Sequence, residues 1–238
     1  MRNSSLALQS EHSSTPSRGE GAPMGLKQSW MLDHSAVDLP PGKSPFGPDT
    51  QEQWNRLMPL ERLMLFDADS LNQLAVQEAA IETARMTPGH RVIDACCGVG
   101  GNAIAFALAG KMVTAIDVNS SKLEMAQFNA TLFGVADRIR WVHGEALGLL
   151  PWVDSESVFI DPNWGQPRST DGMVGFEGSR PNVRQLVRLA QGEGRTVVLR
   201  LPLCFDFEEL SAGTVAVRVS EDLVKGELTG FTAVLGGA

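Results

Sequence analysis

Residues 92–102 read V-I-D-A-C-C-G-V-G-G-N and hold the first indication of the fold. The apolar opening is typical of a strand, and Gly98, Gly100 and Gly101 then turn the chain into a helix. Glycine at such a turn lets backbone approach a ligand, and the free amides of the helix start can face it. The turn alone would also suit a dinucleotide, although Ala103 stands where a dinucleotide-binding fold has its third glycine.

Short apolar runs alternate with helical stretches on both sides of this turn. Five runs bounded by Gly, Pro, Asp or Asn are predicted strands: 91–96, 112–117, 139–144, 157–162 and 196–201. The predicted helices are 102–109, 121–133 and 181–190. Two last strands, 214–220 and 230–235, have no helix between them. The pattern predicts an α/β fold: a Rossmann-like, doubly wound, mostly parallel seven-stranded sheet with a C-terminal antiparallel hairpin and helices on both faces.

The 238 residues suffice for one well-buried domain with an appendage. Residues 1–50 are rich in Ser, Pro and Gly without periodicity and are expected to be mostly disordered. Residues 51–238 form the predicted domain, and 54–66 and 71–86 read as helices of its lead-in, 51–88. Since no secretory or membrane-spanning signal is found, we expect an intracellular protein of the cytoplasm or nucleus, without a membrane partner.

Charge and cysteine content restrict the partners. The formal net charge is −8, which disfavours long, non-specific nucleic-acid binding because that depends on many Lys and Arg contacts to phosphate. A small or end-bound nucleotide stays compatible with this charge. Cys96, Cys97 and Cys204 form no CxxC pair or His cluster, so we expect no metal and a reduced compartment. The oligomeric state is left open.

Residues 159–167 read F-I-D-P-N-W-G-Q-P at the predicted carboxyl end of the fourth strand, where open α/β sheets bind ligands. Asp161 and the carbonyl of Pro162 can accept the two N–H bonds of a planar amine, and Trp164 can stack on its ring. The lone pair of such an amine is delocalised, so holding both N–H groups supplies orientation and charge relief. Alternatively, 161–163 is only a turn and Trp164 a lid on the core.

Two further acids end neighbouring strands. Asp94 closes the first strand, and Asp117 closes the second, where it can accept hydrogen bonds from ribose hydroxyls. A solvated strand-end carboxylate is the alternative for Asp117.

In their order and spacing these motifs resemble the RNA cap guanine-N2 methyltransferases, the trimethylguanosine synthase family. The matching stretches are D-A-C-C-G-V-G-G-N-A-I, A-I-D-V-N, F-N-A-T-L-F-G-V and D-P-N-W-G-Q-P, within about residues 54–176. The resemblance implies S-adenosylmethionine as cofactor, held by Asp94, Cys97, Gly98, Gly100, Asn102, Asp117 and Glu145. It also implies a guanine held by the catalytic residues Asp161, Pro162 and Trp164, with the tryptophan stacked on the methylated base.

Three positions depart from the family pattern. Cys96 replaces an aromatic residue, Asn163 replaces the second proline, and Phe128 stands where the family often has His. Asn163 is nevertheless expected beside the substrate, and Arg168, directly after the motif, is the predicted partner of a nucleotide phosphate.

Arg180, Arg184 and Arg188 recur every four residues, and we interpret them as the solvated face of a helix. The alternative is that they bind the phosphates of a cap-like nucleotide. His143 is expected to be structural.

The predicted function is S-adenosylmethionine-dependent methylation of the exocyclic N2 of guanosine or 7-methylguanosine. The expected partner is a capped RNA end or a methylated guanosine nucleotide. Three alternatives stay open: methylation of another planar amine such as adenine N6 or glutamine N5, a catalytically silent S-adenosylmethionine- or nucleotide-binding scaffold, and a dinucleotide oxidoreductase.

Overall fold

A computed structural model of the chain describes residues 30–31, 64–67, 70, 77–168, 170–211, 217–224 and 226–236. Its strands, in chain order, are β1 (Trp30–Met31), β2 (Leu65–Phe66), β3 (Arg91–Asp94), β4 (Met112–Asp117), β5 (Ile139–His143), β6 (Ser157–Ile160), β7 (Thr196–Leu201), β8 (Val217–Val224) and β9 (Glu227–Leu235). Its α-helices are α1 (Gln77–Met86), α2 (Gly101–Leu108), α3 (Ser120–Leu132), α4 (Ala146–Leu149), α5 (Val183–Gly192) and α6 (Glu208–Ser211).

Seven of these strands form one mixed sheet in the order β5-β4-β3-β6-β7-β9-β8. Strands β3 to β7 are parallel, whereas β9 runs antiparallel to both β7 and β8. The chain reaches one edge at β5 and then returns to β6 beside β3, so the strand order reverses between β3 and β6. A crevice opens outside the carboxyl ends of the strands at such a switch point.

Both faces of the sheet are buried, as expected for parallel strands. On β6, Val158 and Ile160 pack into the apolar cluster that contains Leu186 of α5. Phe159 points to the opposite face, where its ring lies 5.3 Å from that of Phe106 on α2. Alternation along one strand therefore builds two core layers.

The predicted α/β class, the mostly parallel seven-stranded sheet and the C-terminal hairpin are confirmed. Strands β4 and β7 have the predicted bounds, and the predicted apolar stripe of α5 is buried: Val183, Leu186, Val187 and Ala190. Helices α4 and α6 were not predicted, because a single helical turn carries no periodicity.

The lead-in segment departs from its prediction where the structure describes it. Leu65–Phe66, inside the helix predicted over 54–66, form a strand that pairs antiparallel with Trp30–Met31, inside the segment predicted to be disordered. The helix predicted over 71–86 is observed over Gln77–Met86. The other residues of 1–63 and residues 71–76 lie outside the described part, so the domain bounds stay a prediction.

No helix in the described part of the chain has the length and apolar character needed to cross a bilayer.

Gly230 lets β9 lie against β7, and its substitution tests the hairpin. A Cβ at this position would stand 2.8 Å from the carbonyl oxygen of Leu201, which is backbone and cannot swing away. We expect Gly230→Ala to lower the free energy of unfolding in urea by about 1–3 kcal/mol. Gly192→Ala is the matched control, since a Cβ there meets nothing within 4 Å. Equal stability of the two variants would contradict this close approach.

Candidate active site

The carboxyl ends of the parallel strands open into a cavity of about 1030 Å³. One end is lined by the glycine turn after β3 and by Asp117 of β4, and Glu145 closes it from the turn after β5. The other end is lined by 161–164, which follow β6, and by Arg200 of β7. Two groups of residues predicted to bind different ligands therefore share one space.

The glycines of the turn have different roles. Gly98 has φ +53°, and a Cβ built on it would meet nothing within 4 Å, so this residue faces open space at the cavity wall. Gly100 has φ +92°, and its Cβ would come within 3.0 Å of the Ala126 Cβ on α3. Gly98 can thus approach a ligand, whereas Gly100 serves the packing of the turn against a helix.

Asp117 fixes the turn while it lines the cavity. Its Oδ2 accepts a hydrogen bond from the Gly98 amide at 2.8 Å, and its Oδ1 accepts one from the Asn119 amide at 2.9 Å. A carboxylate has about four acceptor positions, so ribose hydroxyls can still be bound. Nearby, His143 Nε2 contacts the Val118 carbonyl at 2.9 Å, in the structural role expected for it.

Asp94 lies beneath the turn and is 0% exposed. Neither carboxyl oxygen has a hydrogen bond of normal geometry within the described chain, although the amides of Cys96 and Ala103 face the group. Burial, together with the neighbouring Asp161 carboxylate, raises the Asp94 pKa from 3.8 to about 8. Asp94 is therefore a buried acid that the surrounding chain satisfies only in part, directly beneath the cavity-lining turn.

Asp161 lies at the end of the cavity that 161–164 and Arg200 line. Burial raises its pKa to about 6, while the Arg200 cation and a hydrogen bond from Asn102 act in the opposite direction. Asn102, predicted to contact the cofactor, thus acts on Asp161. Within the described residues nothing donates to the Pro162 carbonyl, which leaves it available beside Asp161.

Trp164 combines the two roles that the sequence left open. Its indole packs on Phe205, with ring centroids 5.2 Å apart, and lies 6.4 Å from Phe176 at an interplanar angle of 29°. It is partly exposed and lines the cavity. Phe176 and Phe205 therefore support the indole from the protein side, and its exposed part can stack on a ligand.

Asn163 is held by the backbone of a neighbouring segment. Its amide donates to the Arg180 carbonyl at 3.2 Å, and its carbonyl accepts from the Arg180 amide at 2.9 Å. Proline has no N–H and would lose the first of these bonds. The departure from the family's proline therefore accompanies a backbone bridge that holds this loop.

Arg168 does not line the cavity. Its guanidinium pairs with Asp206 at 2.6 Å, with Asp171 at 3.3 Å and with Glu209 at 3.6 Å. Glu209 also pairs with Arg184 at 3.0 Å. The structure places Arg168 in an ion-pair cluster that ties the loop after Trp164 to α6, rather than beside the ligand space.

The cavity also contains basic residues that the sequence did not single out as ligands. Arg180 is exposed at the rim, and Arg200 and Lys122 contribute to the wall. Arg200 lies one residue before the end of a parallel strand, a position that a search of all strand ends for polar residues would have found. Cys97, by contrast, is buried in the core.

Residues 89–231, more than half of the chain, match the family described as RNA cap guanine-N2 methyltransferase. The chain belongs to this family. The resemblance found in the sequence is thereby confirmed.

Individual relatives cover different parts of the chain. Trimethylguanosine synthase of Saccharomyces cerevisiae is 31% identical over 50% of this chain and 35% of its own length. The tRNA (guanine(10)-N2)-dimethyltransferase of Methanothermobacter thermautotrophicus is 24% identical over 71% of this chain and 49% of its own length. A probable cobalt-precorrin-6B C(15)-methyltransferase of Pyrobaculum aerophilum is 31% identical over 40% of this chain and 50% of its own length. The chain thus spans half or less of these relatives.

A structure of a putative methyltransferase from Porphyromonas gingivalis W83 shares the fold. It superposes with a TM-score of 0.60 at 17% sequence identity and covers 84% of this chain and 52% of its own.

Asn129, part of the family motif on α3, braces the turn from below. The side chain is fully buried; its Nδ2 donates to the carbonyls of Val99 and Leu65 at 3.0 and 2.9 Å, and its Oδ1 accepts from the Leu65 amide at 2.6 Å. One amide therefore joins the glycine turn to β2. Asn129 belongs to the motif quoted above, but its hydrogen-bond partners could not be read from the sequence.

The role of Asn129 predicts a large loss of stability in Asn129→Ala. Three hydrogen bonds to buried backbone disappear, which should lower the free energy of unfolding by about 2–4 kcal/mol in urea denaturation. Asn119→Ala is the control, because Asn119 caps the same helix from an exposed position and should cost about 1 kcal/mol. A loss at Asn129 no larger than at Asn119 would contradict the bracing role.

Asp94 predicts an unusual dependence of stability on pH. Its pKa is about 8 in the folded protein against 3.8 for an unperturbed aspartate, so between these values the folded state binds a proton that the unfolded state does not. The ligand-free protein should therefore become more stable as pH falls from about 8 to about 6, with a slope of up to about 1.4 kcal/mol per pH unit.

Urea denaturation across this pH range measures the slope. Asp94→Asn should flatten it and should be more stable than the natural chain at pH 8. Asp154→Asn, at an exposed site, should leave the slope unchanged. A natural chain that gains stability on going from pH 6 to pH 8 would disprove the assignment to Asp94.

Proposed function

We propose that this protein is an S-adenosylmethionine-dependent methyltransferase that acts on the exocyclic N2 of guanine. The proposed acceptor is the 7-methylguanosine of a capped RNA end or a cap-like nucleotide. The observation that carries the proposal is the continuity of the cavity, which joins the wall at Gly98 and Asp117 to the wall at Asp161 and Trp164.

The cofactor end fits the proposed ligand. Gly98 offers open space beside a fixed backbone, Asp117 offers a carboxylate for ribose hydroxyls, and Glu145 lies at the same end of the wall. Asp94 lies beneath this end, fully buried and outside the cavity wall, so it would act on the cofactor through the glycine turn. Bound S-adenosylmethionine supplies an electrophilic methyl group on a sulfonium centre. Gly100 and Asn102, assigned to the cofactor from the sequence, support the turn and Asp161 instead.

The acceptor end fits a planar amine. Asp161, with a pKa of about 6, is mostly ionised at neutral pH and can accept an amine hydrogen, while the free Pro162 carbonyl accepts the other. Holding both hydrogens directs the nitrogen lone pair toward the cofactor end. The amine loses one proton as its nitrogen gains a methyl group, and Asp161 is placed to receive that proton.

The charge at Asp161 would favour a cationic acceptor. Asp161 lies near Asp222, and Arg200 is the cation acting on both. The ionised Asp161 carboxylate can attract a guanine that carries a positive charge through 7-methylation. The indole of Trp164 favours the same cation through its electron-rich face. Phosphates of such a nucleotide would reach the exposed Arg180 at the rim, and Arg168 would not contact them.

A transfer assay tests the proposed function. Labelled S-adenosylmethionine is incubated with 7-methylguanosine and guanosine nucleotides, adenosine nucleotides and a glutamine peptide, and mass spectrometry locates the methyl group. We expect transfer to guanine N2 with 7-methylguanosine nucleotides preferred. Methylation of adenine or glutamine alone, or binding without turnover, would replace this function by one of the alternatives.

Substitutions of Asp161 and Trp164 test the proposed binding of the acceptor base. Asp161→Asn should lower turnover by roughly 10²-fold while cofactor binding persists. Trp164→Ala should cost about 1–3 kcal/mol of acceptor binding, Trp164→Phe less, and the loss should be larger for the methylated, cationic guanine. Trp152→Ala is the control, since Trp152 is 85% exposed and does not line the cavity. Equal losses for both guanines in a destabilised Trp164→Ala protein would reduce Trp164 to a lid on the core.

A further inference from the structure

Arg200 lies beside Asp161 at the carboxyl edge of the sheet. Strands β6 and β7 pair in parallel, with Ile160 opposite Leu199. The next residues along the two segments, Asp161 and Arg200, therefore lie side by side. Both line the cavity. The sheet therefore sets a guanidinium next to the proposed catalytic carboxylate.

A third charged group completes the cluster from the C-terminal hairpin. Asp222 on β8 is only 4% exposed, and its Oδ1 accepts a hydrogen bond from Thr232 Oγ1 at 2.8 Å. Thr232 on β9 is in turn the register partner of Arg200. Asp222 is itself the register partner of Gly230 on β9. The hairpin thus delivers a buried acid to the far side of Arg200.

Arg200 acts on both acids without contacting either at ion-pair distance. In the described chain no nitrogen of Arg200 lies within 4.0 Å of a carboxylate oxygen, and Arg200 Nη1 and Asp222 Oδ2 are both buried without a hydrogen-bond partner. A closed structural salt bridge would have satisfied these atoms. The guanidinium instead influences Asp161 by its charge from a neighbouring position on the cavity wall.

We propose that Arg200 is a positioning residue that keeps the Asp161 carboxylate ionised for the acceptor amine, with Asp222 as the opposing charge that limits this effect. The inference rests on the proposed function for the role of Asp161 in the reaction. The influence of Arg200 on the charge of Asp161 does not depend on that role.

The charged groups around Asp161 explain why a single cation has a large effect on its ionisation. Five groups act on Asp161 or are acted on by it. They are Asp94 on β3, the Cys96 thiol in the glycine turn, the neutral Asn102 on α2, Arg200 on β7 and Asp222 on β8. Burial raises the Asp161 pKa, Asp222 raises it further, and Arg200 opposes both. Arg200 is the sole positive charge that acts on Asp161 among the described residues, so its loss would leave a half-buried acid whose charged neighbours are all acidic.

The direction of each expected change follows from charge alone. Arg200→Met removes the cation, so the Asp161 pKa should rise above its value of about 6 and the acidic limb of the pH–rate profile should move to higher pH. For a shift of about one pH unit, turnover at pH 6 would fall about fivefold and would recover toward pH 9. Asp222→Asn removes a repelling charge and should move the limb to lower pH. Arg200→Lys should retain most of the natural profile.

Direct titration separates this inference from the proposed function. Aspartate labelled with ¹³C at the carboxyl carbon reports the Asp161 pKa by NMR without any substrate, and Asp161→Asn assigns the resonance. We expect opposite shifts in Arg200→Met and Asp222→Asn, and none in the exposed controls Arg140→Met and Asp154→Asn. A structural defect would not move one pKa in opposite directions in two variants.

The possible results are distinct. Opposite NMR shifts in a protein that methylates no guanine would preserve the Arg200 effect and reject the proposed function. An unchanged Asp161 titration in Arg200→Met, or shifts of one sign in both variants, would overturn the inference even if guanine is methylated. Should Arg200→Met fail to fold, Arg200→Lys and Asp222→Asn still decide, since a titration that does not move down in Asp222→Asn contradicts the proposal.

Discussion

The hydrogen bond from the Gly98 amide to the Asp117 carboxylate joins the ends of two parallel strands, and the rest of the site is arranged around it. It holds the glycine turn open toward the cavity, and Asn129 supports the same turn from α3 through the Val99 carbonyl. Because all the parallel strands end at one edge, a turn fixed there also fixes the distance to Asp161, which directly follows β6. The two ends of the cavity are therefore parts of one edge of the sheet.

Several polar and charged atoms near this edge of the sheet are buried without hydrogen-bond partners in the described chain. Asp94 has no completed hydrogen bond within the described chain, and Asp222 Oδ2 and Arg200 Nη1 lack partners as well. Each buried, unsatisfied polar atom lowers the stability of the ligand-free fold. Groups of this kind cluster at functional sites, where a ligand of matching charge removes the cost. The two apolar layers on either face of the sheet provide the stability that offsets it.

The sequence was sufficient for the features that depend on local pattern. Alternation of strands and helices predicted the sheet, and strands β4 and β7 agree to the residue because Asp, Gly or Pro bounds them sharply. The motif 159–167 follows one of these predicted strands directly, so Asp161, Pro162 and Trp164 could be expected at the cavity that they line. The ion pairs of Arg168 could not be predicted, because its partners Asp206 and Glu209 lie 38 and 41 residues further along the sequence and only the fold brings them together.

Long-range contacts also explain why a residue that departs from the family pattern fits here. Asn163 replaces a proline whose rigidity would aim the adjacent carbonyl, and the structure supplies rigidity differently, through two backbone bonds to Arg180 and a bond from the Gly165 amide to Asn163 Oδ1. The same bridge sets Arg180 at the rim of the cavity. Proline at this position would keep the turn but lose the bond donated by the amide of residue 163, so the loop that carries Arg180 would be less firmly held. The substitution thus transfers the restraint on the turn after β6 from local backbone geometry to its pairing with a second segment, the one that carries Arg180.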